Sequence, residues 1–168
     1  MNYHDITKDD MKNGPGLRAV LWVSGCEHHC PGCQNPITWD PGDGLKFDDE
    51  AHEELMELLG RDYISGLTLS GGDPLYPGNR DSILELCREV KDRWPDKTIW
   101  IYTGYDYEDI ASLDIMKYTD VVVDGKYIED KRDILLHWRG SSNQRVIDVN
   151  RSQKEGVICT LEDINVKE

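Results

Sequence analysis

The stretch Cys26-Glu27-His28-His29-Cys30-Pro31-Gly32-Cys33 places three cysteines at C-x3-C-x2-C spacing, directly after an apolar run over 17–23. A short loop brings thiolates at this spacing to one side of the chain, where they can bind one soft metal centre. On a cubane iron–sulfur cluster, three thiolates would bind three of the four irons and leave the fourth open to a small molecule. The spacing therefore favours a cluster that takes part in chemistry.

A structural zinc site is the alternative explanation of the same loop, because His28 or His29 could act as the fourth ligand. Structural zinc ligands, however, are usually found as two separated pairs, and the sequence has no second C-x2-C. The spacing by itself favours the open cluster and leaves zinc as the alternative.

Composition predicts a single soluble globular domain over residues 1–168. Hydrophobic residues make up 38% and charged residues 31% of the chain, and no apolar run is long enough to span a membrane. The N-terminus lacks the basic and apolar regions of a signal peptide, and five cysteines suit a reducing compartment, so we expect a cytoplasmic protein without a membrane partner. The net charge of −14 argues against nucleic acid as a partner.

Strand and helix patterns alternate along the chain. Strands are predicted over 17–23, 64–69, 98–102, 121–123 and 145–149, and helices over 49–59, 80–93 and 107–117. Other segments are interpreted as a polar N-terminal segment over 3–16, a loop over 138–144, a linker over 150–156 and an unassigned C-terminal tail over 150–168. Strands separated by helices predict an α/β fold with a parallel sheet and flanking helices.

Four of the predicted strands are followed by unusual motifs. These are the cysteine loop, Ser70-Gly71-Gly72-Asp73-Pro74, Thr103-Gly104-Tyr105 and Asp124-Gly125-Lys126, in chain order. The C-terminal ends of parallel strands share one edge of a sheet, and ligands bind at that edge. We therefore expect the four motifs to converge on one site.

Each motif has a functional and a simpler interpretation. The two glycines of Gly71-Gly72 let a ligand approach the backbone closely, and Asp73 offers an acceptor to a cationic group, although a turn with a solvated aspartate reads the same way. Thr103-Gly104-Tyr105 offers a hydroxyl and a ring face to a nucleoside, or Tyr105 simply packs. Asp124 and Lys126 could pair with each other as an ordinary surface salt bridge, which would contribute little.

Taken in order, these motifs resemble the radical S-adenosylmethionine glycyl-radical activating enzymes. The resemblance rests on Asn13-Gly14-Pro15-Gly16, the cysteine loop and the Ser70–Pro74 motif, within residues 2–149. Trp138-Arg139-Gly140-Ser141-Ser142-Asn143-Gln144 and the short chain make it most similar to the branch that activates anaerobic ribonucleoside-triphosphate reductase.

The resemblance implies a partial, open (βα) barrel and a [4Fe-4S] cluster on Cys26, Cys30 and Cys33. It also implies that S-adenosyl-L-methionine chelates the open iron, with no catalytic residue beyond the cluster ligands. The residues expected to bind this cofactor are Ser70, Gly71, Gly72, Asp73, Thr103, Gly104 and Tyr105. Reductive cleavage would give methionine and a 5′-deoxyadenosyl radical, which makes a glycyl radical on the large subunit of the reductase. A one-electron donor such as flavodoxin is the second implied partner.

The sequence departs from the wider superfamily pattern in two places. Pro31-Gly32 stands where an aromatic residue often precedes the last cysteine, and Asp73 replaces the commoner glutamate. Three alternatives stay open at this stage. They are an activator of the pyruvate formate-lyase type, a radical enzyme acting on a small molecule (7-carboxy-7-deazaguanine synthase type), and a non-enzymatic zinc or iron–sulfur module.

Overall fold

The computed structural model describes residues 1–161, so residues 162–168, the last part of the predicted tail, lie outside the described residues. The strands are β1 (Asn2–Asp10), β2 (Leu17–Val23), β3 (Leu45–Lys46), β4 (Ile64–Gly71), β5 (Thr98–Tyr102), β6 (Val121–Asp124) and β7 (Arg145–Asp148). The α-helices are α1 (Asp49–Leu59), α2 (Arg80–Arg93), α3 (Tyr107–Ile110) and α4 (Val149–Glu155). Within residues 1–161 no helix has the length and apolarity needed to cross a lipid bilayer.

The seven strands form one sheet in the order β3-β1-β2-β4-β5-β6-β7. The central strands β2, β4, β5 and β6 are parallel, as the alternation of strands and helices predicts. Strands β1 and β7 run the other way, because β1 pairs antiparallel with β2, and β7 pairs antiparallel with β6. The short edge strand β3 pairs antiparallel with β1 and so has the direction of the central strands. The α/β class and the flanking helices are therefore confirmed, whereas the open barrel form stays a prediction.

The interpretation of residues 3–16 as a polar segment without a strand is wrong for its first part. Residues 2–10 form β1, which pairs with β2 along most of its length. Only Tyr3 is buried in this strand, where its ring packs edge-on against Phe47. The backbone ladder with β2 holds the strand in place, so a sequence with few apolar residues becomes part of the sheet.

The linker predicted over 150–156 is also wrong, because these residues belong to helix α4 and its C-terminal end. The carboxylate of Asp148 caps the helix by accepting a 3.0 Å hydrogen bond from the backbone N–H of Arg151. Gly156 ends the helix with a φ of 72°, in the left-handed region that glycine tolerates. The predicted helix over 107–117 is interrupted, and consists of α3 and a separate 3₁₀ turn, Asp114–Lys117.

The two faces of the sheet differ in what covers them. Alternate strand residues such as Leu21, Leu69 and Ile101 pack against the helices in the main hydrophobic core. The opposite face carries a smaller buried cluster of Trp100, Val121, Val123 and Val146, with Tyr102 and Trp138 packed against it. The helical side therefore stabilises the sheet, and the other side remains accessible from the strand ends.

Candidate active site at the C-terminal ends of the parallel strands

A cavity of about 140 Å³ lies at the C-terminal ends of the parallel strands. Ten residues are predicted from the sequence to bind the cluster or the cofactor. Nine of them line this cavity, namely Cys26, Cys30, Cys33, Ser70, Gly71, Gly72, Asp73, Thr103 and Gly104. The tenth, Tyr105, lines an adjoining cavity of about 590 Å³. The expected convergence of the strand-end motifs is thus observed, because the parallel strands end along one edge.

The cysteine loop begins where β2 ends and is held by backbone hydrogen bonds at both of its ends. The N–H of Cys26 donates to the carbonyl of Trp39 at 3.0 Å, and that of Cys33 donates to the carbonyl of Cys30 at 3.0 Å. His29 and Gly32 adopt positive φ values of 48° and 79°, which turn the chain sharply between the cysteines. The loop thereby directs three half-buried thiols to the cavity.

The arrangement of the thiols fits a cluster with several metal atoms. No three His, Cys, Asp or Glu side chains of residues 1–161 are placed to hold a single metal ion. A cubane cluster does not require the three thiolates to meet at a single metal ion, since each thiolate binds a different iron atom. Burial raises the pKa of the Cys26 thiol to about 11, against the opposing effect of the His28 backbone N–H, so cluster ligation is coupled to proton release.

Both histidines proposed as a fourth zinc ligand contact other groups. Nε2 of His28 lies 2.7 Å from Oδ2 of Asp73, and the His29 ring stacks on Trp39 with 4.5 Å between ring centroids. In this structure neither imidazole approaches the thiols as a ligand set, so the donor geometry fits a three-thiolate cluster better than a zinc knuckle.

Asp73 is the most densely hydrogen-bonded carboxylate at the cavity. Its side chain is only 1% exposed. Oδ2 accepts from Thr103 Oγ1 at 3.0 Å and from the Gly104 N–H at 2.9 Å, besides its contact with His28. Oδ1 accepts from the N–H of Leu75 at 2.9 Å. The carboxylate therefore joins the ends of β4 and β5 to the cysteine loop, which a solvated turn aspartate would not do.

Gly71 and Gly72 have a structural role in the packing of the strand ends. Gly71 has a φ of 104°, and a Cβ on it would lie 2.6 Å from the backbone nitrogen and oxygen of Val23. A Cβ on Gly72 would lie 2.6 Å from the carbonyl oxygen of Gly25. These glycines let the end of β4 pack against the end of β2, and this close packing brings the Gly71–Asp73 turn next to the cysteine loop.

The Thr103-Gly104-Tyr105 motif acts mainly through contacts within the protein. Thr103 and Gly104 both donate to Asp73, as described above. The Tyr105 hydroxyl donates to Glu27 Oε1, and its ring packs edge-on against His28 with centroids 4.5 Å apart. The pKa of Tyr105 is raised mainly by burial of the hydroxyl and, to a smaller extent, by its hydrogen bond to Glu27. Tyr105 therefore packs against the cysteine loop from outside the first cavity.

Eight further residues line the cavity without having been predicted as site residues, and they include Trp39, Tyr102, Tyr127 and Gln144. The Tyr102 hydroxyl and the Trp39 Nε1 are buried and have no hydrogen-bond partner within the described chain. Tyr102 is the last residue of β5, so its place at the strand edge was readable from the sequence. Trp39 and Tyr127 reach the site through irregular loops, for which the sequence has no comparable signal.

Asp124 pairs with Arg145 and not with Lys126, so the interpretation of the two residues as a simple surface salt bridge is wrong. Asp124 is 1% exposed, and Arg145 donates to both of its oxygens, through Nε at 3.1 Å and Nη2 at 2.5 Å. Asp124 Oδ2 also accepts from the N–H of Tyr107 at 2.8 Å. This aspartate consequently joins β6, β7 and α3, directly before Gly125, which lines the cavity.

Comparison with known proteins agrees with this site. A family model described as a 4Fe-4S single cluster domain matches residues 12–147. The chain is 51% identical over 146 residues to the anaerobic ribonucleoside-triphosphate reductase-activating protein of Enterobacteria phage T4, covering 87% of this chain and 93% of that protein. Proteins of the same name are similar at 44% identity in Vibrio cholerae serotype O1 (86% and 96% covered) and 43% in Escherichia coli strain K12 (87% and 97% covered). With this identity over nearly the whole of each relative, the chain belongs to the family of anaerobic ribonucleoside-triphosphate reductase-activating proteins.

Proposed function

We propose that this chain activates anaerobic (class III) ribonucleoside-triphosphate reductase by generating a glycyl radical on it. Its relatives carry that activating role in their name. The observation that carries the proposal is the cavity in which three cysteines of one loop face the Gly71–Asp73 turn at the ends of parallel strands. We propose further that residues 1–168 form one domain, in which the sheet and helices make a partial, open (βα) barrel.

Cys26, Cys30 and Cys33 would hold a [4Fe-4S] cluster and leave one iron for S-adenosyl-L-methionine. When both are bound, the cluster and S-adenosyl-L-methionine would supply reductive cleavage of the sulfonium to methionine and a 5′-deoxyadenosyl radical. The residues of the chain bind and orient the substrate and keep water from it. The negative charge of Asp73 behind the Gly71–Gly72 turn favours the methionine ammonium at this wall of the cavity.

Two buried donors are available for the acceptor groups of the same ligand. The Tyr102 hydroxyl and Trp39 Nε1 line the cavity, and both lack a partner among residues 1–161. Buried polar groups without a partner are uncommon, and each one is satisfied when a ligand oxygen or nitrogen reaches it. A ligand with carboxylate, ribose and adenine acceptors suits these donors.

The target glycine would arrive from the face of the sheet that the helices leave uncovered. A third cavity, of about 340 Å³, lies on this face and is lined by Trp22, Trp138 and Arg139. It shares Ser70, Tyr102, Tyr127 and Gln144 with the cysteine-lined cavity. The loop over 138–144 therefore shapes the approach to the site. Glycine suits this reaction because flanking amides delocalise a radical at Cα and no side chain blocks the approach.

The experiment mixes the anaerobically reconstituted protein with S-adenosyl-L-methionine, a one-electron donor of the flavodoxin type or dithionite, and the large subunit of the reductase. An organic radical signal should appear in electron paramagnetic resonance, and its splitting should change when the reductase contains deuterated glycine. Protein with Cys30→Ala is the matched control and should give no signal. Formation of 5′-deoxyadenosine at one rate with or without the reductase, and no radical on it, would contradict the proposal.

A further inference from the structure

His28 is the one spacer residue of the cysteine loop whose side chain is directed into the protein. Its imidazole is 6% exposed, whereas its neighbours Glu27 and His29 are exposed at the surface. Nε2 lies 2.7 Å from Asp73 Oδ2, and because an ionised carboxylate only accepts, Nε2 carries the proton and donates. Between Cys26 and Cys30 the loop is thus fixed to the sheet by this buried side chain.

The surroundings of His28 leave room for this one ring and little else. A Cβ on Gly104 would lie 2.4 Å from Cδ2 of His28, so any side chain at 104 would displace the imidazole. The Tyr105 ring closes the other side at 4.5 Å between centroids. Close packing of this kind fixes a side chain in one orientation. The side chain fixed here is that of His28, the residue midway between the proposed cluster ligands Cys26 and Cys30.

Asp73 completes its hydrogen bonding through His28. A carboxylate offers about four lone-pair sites. The four donors on Asp73 are His28 of the cysteine loop, Thr103 and Gly104 of the loop that follows β5, and Leu75 of the turn after β4. His28 is the only one of these four donors that belongs to the cysteine loop.

The position of His28 also separates two spaces. Together with Gly104 it lines both the cysteine-lined cavity of about 140 Å³ and the outer cavity of about 590 Å³. The outer cavity is polar and is otherwise lined by groups such as Glu27, Asp106 and Lys126. An imidazole fixed in this wall keeps the cluster side of the site apart from the outer space.

We propose that His28 is a positioning residue, which fixes the loop segment between Cys26 and Cys30 onto Asp73 and so presets the geometry of two cluster ligands. The inference rests on the proposed cluster, yet it concerns contacts that exist before any cluster is bound. Asp73 consequently has two roles: its charge favours the substrate ammonium, and its carboxylate anchors the loop that holds the cluster.

The loop of the reduced, metal-free protein can be tested directly by the rate at which a thiol reagent labels each cysteine, followed by mass spectrometry. In His28→Ala the segment loses a hydrogen bond to a charged group, and Cys26 and Cys30 should be labelled about tenfold faster. In His28→Gln, which retains an N–H donor, labelling should return most of the way to the wild-type rate. In His29→Ala, the neighbouring histidine, labelling should stay at the wild-type rate.

Cys87 serves as the internal control for global unfolding, because it is fully buried on the inner face of α2 and lies outside the site. The proposal requires that Cys87 stay slow in every variant while Cys26 and Cys30 respond. Equal labelling in His28→Ala, His28→Gln and wild-type protein would overturn it. Faster labelling of all cysteines, Cys87 included, in both His28 variants would also overturn it. That result would mean that His28 stabilises the whole fold as an ordinary core residue.

Reconstituted protein provides the second measurement. His28→Ala should release iron to a chelator faster than His29→Ala and should bind S-adenosyl-L-methionine less tightly. Tighter binding in His28→Ala would overturn positioning, since it would mean that the imidazole competes with the ligand for Asp73. If wild-type protein assembles no iron and sulfide at all, the proposed function fails, and the labelling comparison still decides the role of His28.

Discussion

At the scale of single residues, the five cysteines fall into distinct environments. Cys26, Cys30 and Cys33 are half-buried around one cavity. Cys87 is completely buried, and desolvation raises the pKa of its thiol to about 12, while Cys159 lies against Glu155 with 3.1 Å between Sγ and Oε2. Ligation of iron requires a thiolate with access to solvent-borne metal, so only the three loop cysteines meet this requirement.

The first prediction follows from these environments. Reconstituted wild-type protein should contain about four irons and four sulfides per chain, as a [4Fe-4S] cluster requires. Replacing any one of Cys26, Cys30 or Cys33 by Ala should abolish activation of the reductase, and Cys87→Ala should keep both the cluster and the activity. Iron and acid-labile sulfide analysis of anaerobic protein gives the measurement. Stoichiometric zinc without labile sulfide would show that the cluster assignment is wrong.

A second prediction concerns the charge of Asp73. Protein donors already occupy the lone pairs of this carboxylate, so it acts on the substrate ammonium as a nearby negative charge. Asp73→Ala should therefore weaken S-adenosyl-L-methionine binding by about 2 kcal/mol, the attraction between two unit charges about 8 Å apart at an effective dielectric constant of about 20. Titration calorimetry should compare samples of equal iron content, because Asp73 also anchors the cysteine loop. Asp106→Ala, a carboxylate of the outer cavity, is the matched control and should bind normally. Unchanged affinity in Asp73→Ala would move the ammonium to backbone carbonyls.

At the scale of elements, β7 is held to its neighbours by one ionic cluster. Arg145 at the start of β7 contacts Asp124 at the end of β6 and Glu108 in α3, with Nη2 2.8 Å from Glu108 Oε2. The hydrogen bonds to Asp124, and then those to Glu108, raise the pKa of Arg145, so it remains charged at every ordinary pH. The pair that includes buried Asp124 is the one that matters for stability, since exposed pairs contribute little.

The third prediction is therefore that Arg145→Leu lowers the free energy of unfolding by about 2–3 kcal/mol, because it leaves a buried carboxylate without its charged partner. Glu108→Gln, which removes the more exposed partner, should lower it by less than about 1 kcal/mol. Urea unfolding followed by circular dichroism compares the two variants. Similar losses in both would mean that the exposed pair contributes as much as the buried one.

At the scale of the whole molecule, the core and the site occupy different parts of the fold. The main core lies between the sheet and the helices, and it includes completely buried side chains such as Leu21, Leu67, Ile83 and Ile99. The site lies at the strand ends and is made of loops. Because burial of apolar side chains is the main stabilising contribution to folding, we expect the fold to form without a metal.

The fourth prediction is that protein stripped of iron remains folded. It should keep the far-ultraviolet circular dichroism of the loaded form and unfold cooperatively, with a lower melting temperature because cluster binding stabilises only the native state. Protection of Cys87 from thiol reagents would confirm an intact core. Loss of secondary structure on iron removal, as in zinc fingers, would show that the metal centre and the fold form together.

The sequence by itself determined the parallel centre of the sheet and the ring of strand-end motifs. Strands of apolar residues and amphipathic helices such as 49–59 are local patterns, and their order requires parallel strands with a shared C-terminal edge. The cysteine spacing is equally local. For this reason the sequence is enough to assign the three cysteines, Gly71–Asp73 and Thr103–Gly104 to one site.

Only the tertiary structure decided which partners these residues have. Strand β1 is polar and is held by a backbone ladder that leaves no apolar pattern to read. Arg18, inside an apparently apolar strand, is fully buried and donates to Thr68 and Thr98, which are distant in sequence. The contacts of Asp124 with Arg145 and of His28 with Asp73 likewise join residues 21 and 45 positions apart. Hydrogen bonds of this kind depend on where the chain brings side chains together, so composition and periodicity carry no signal for them.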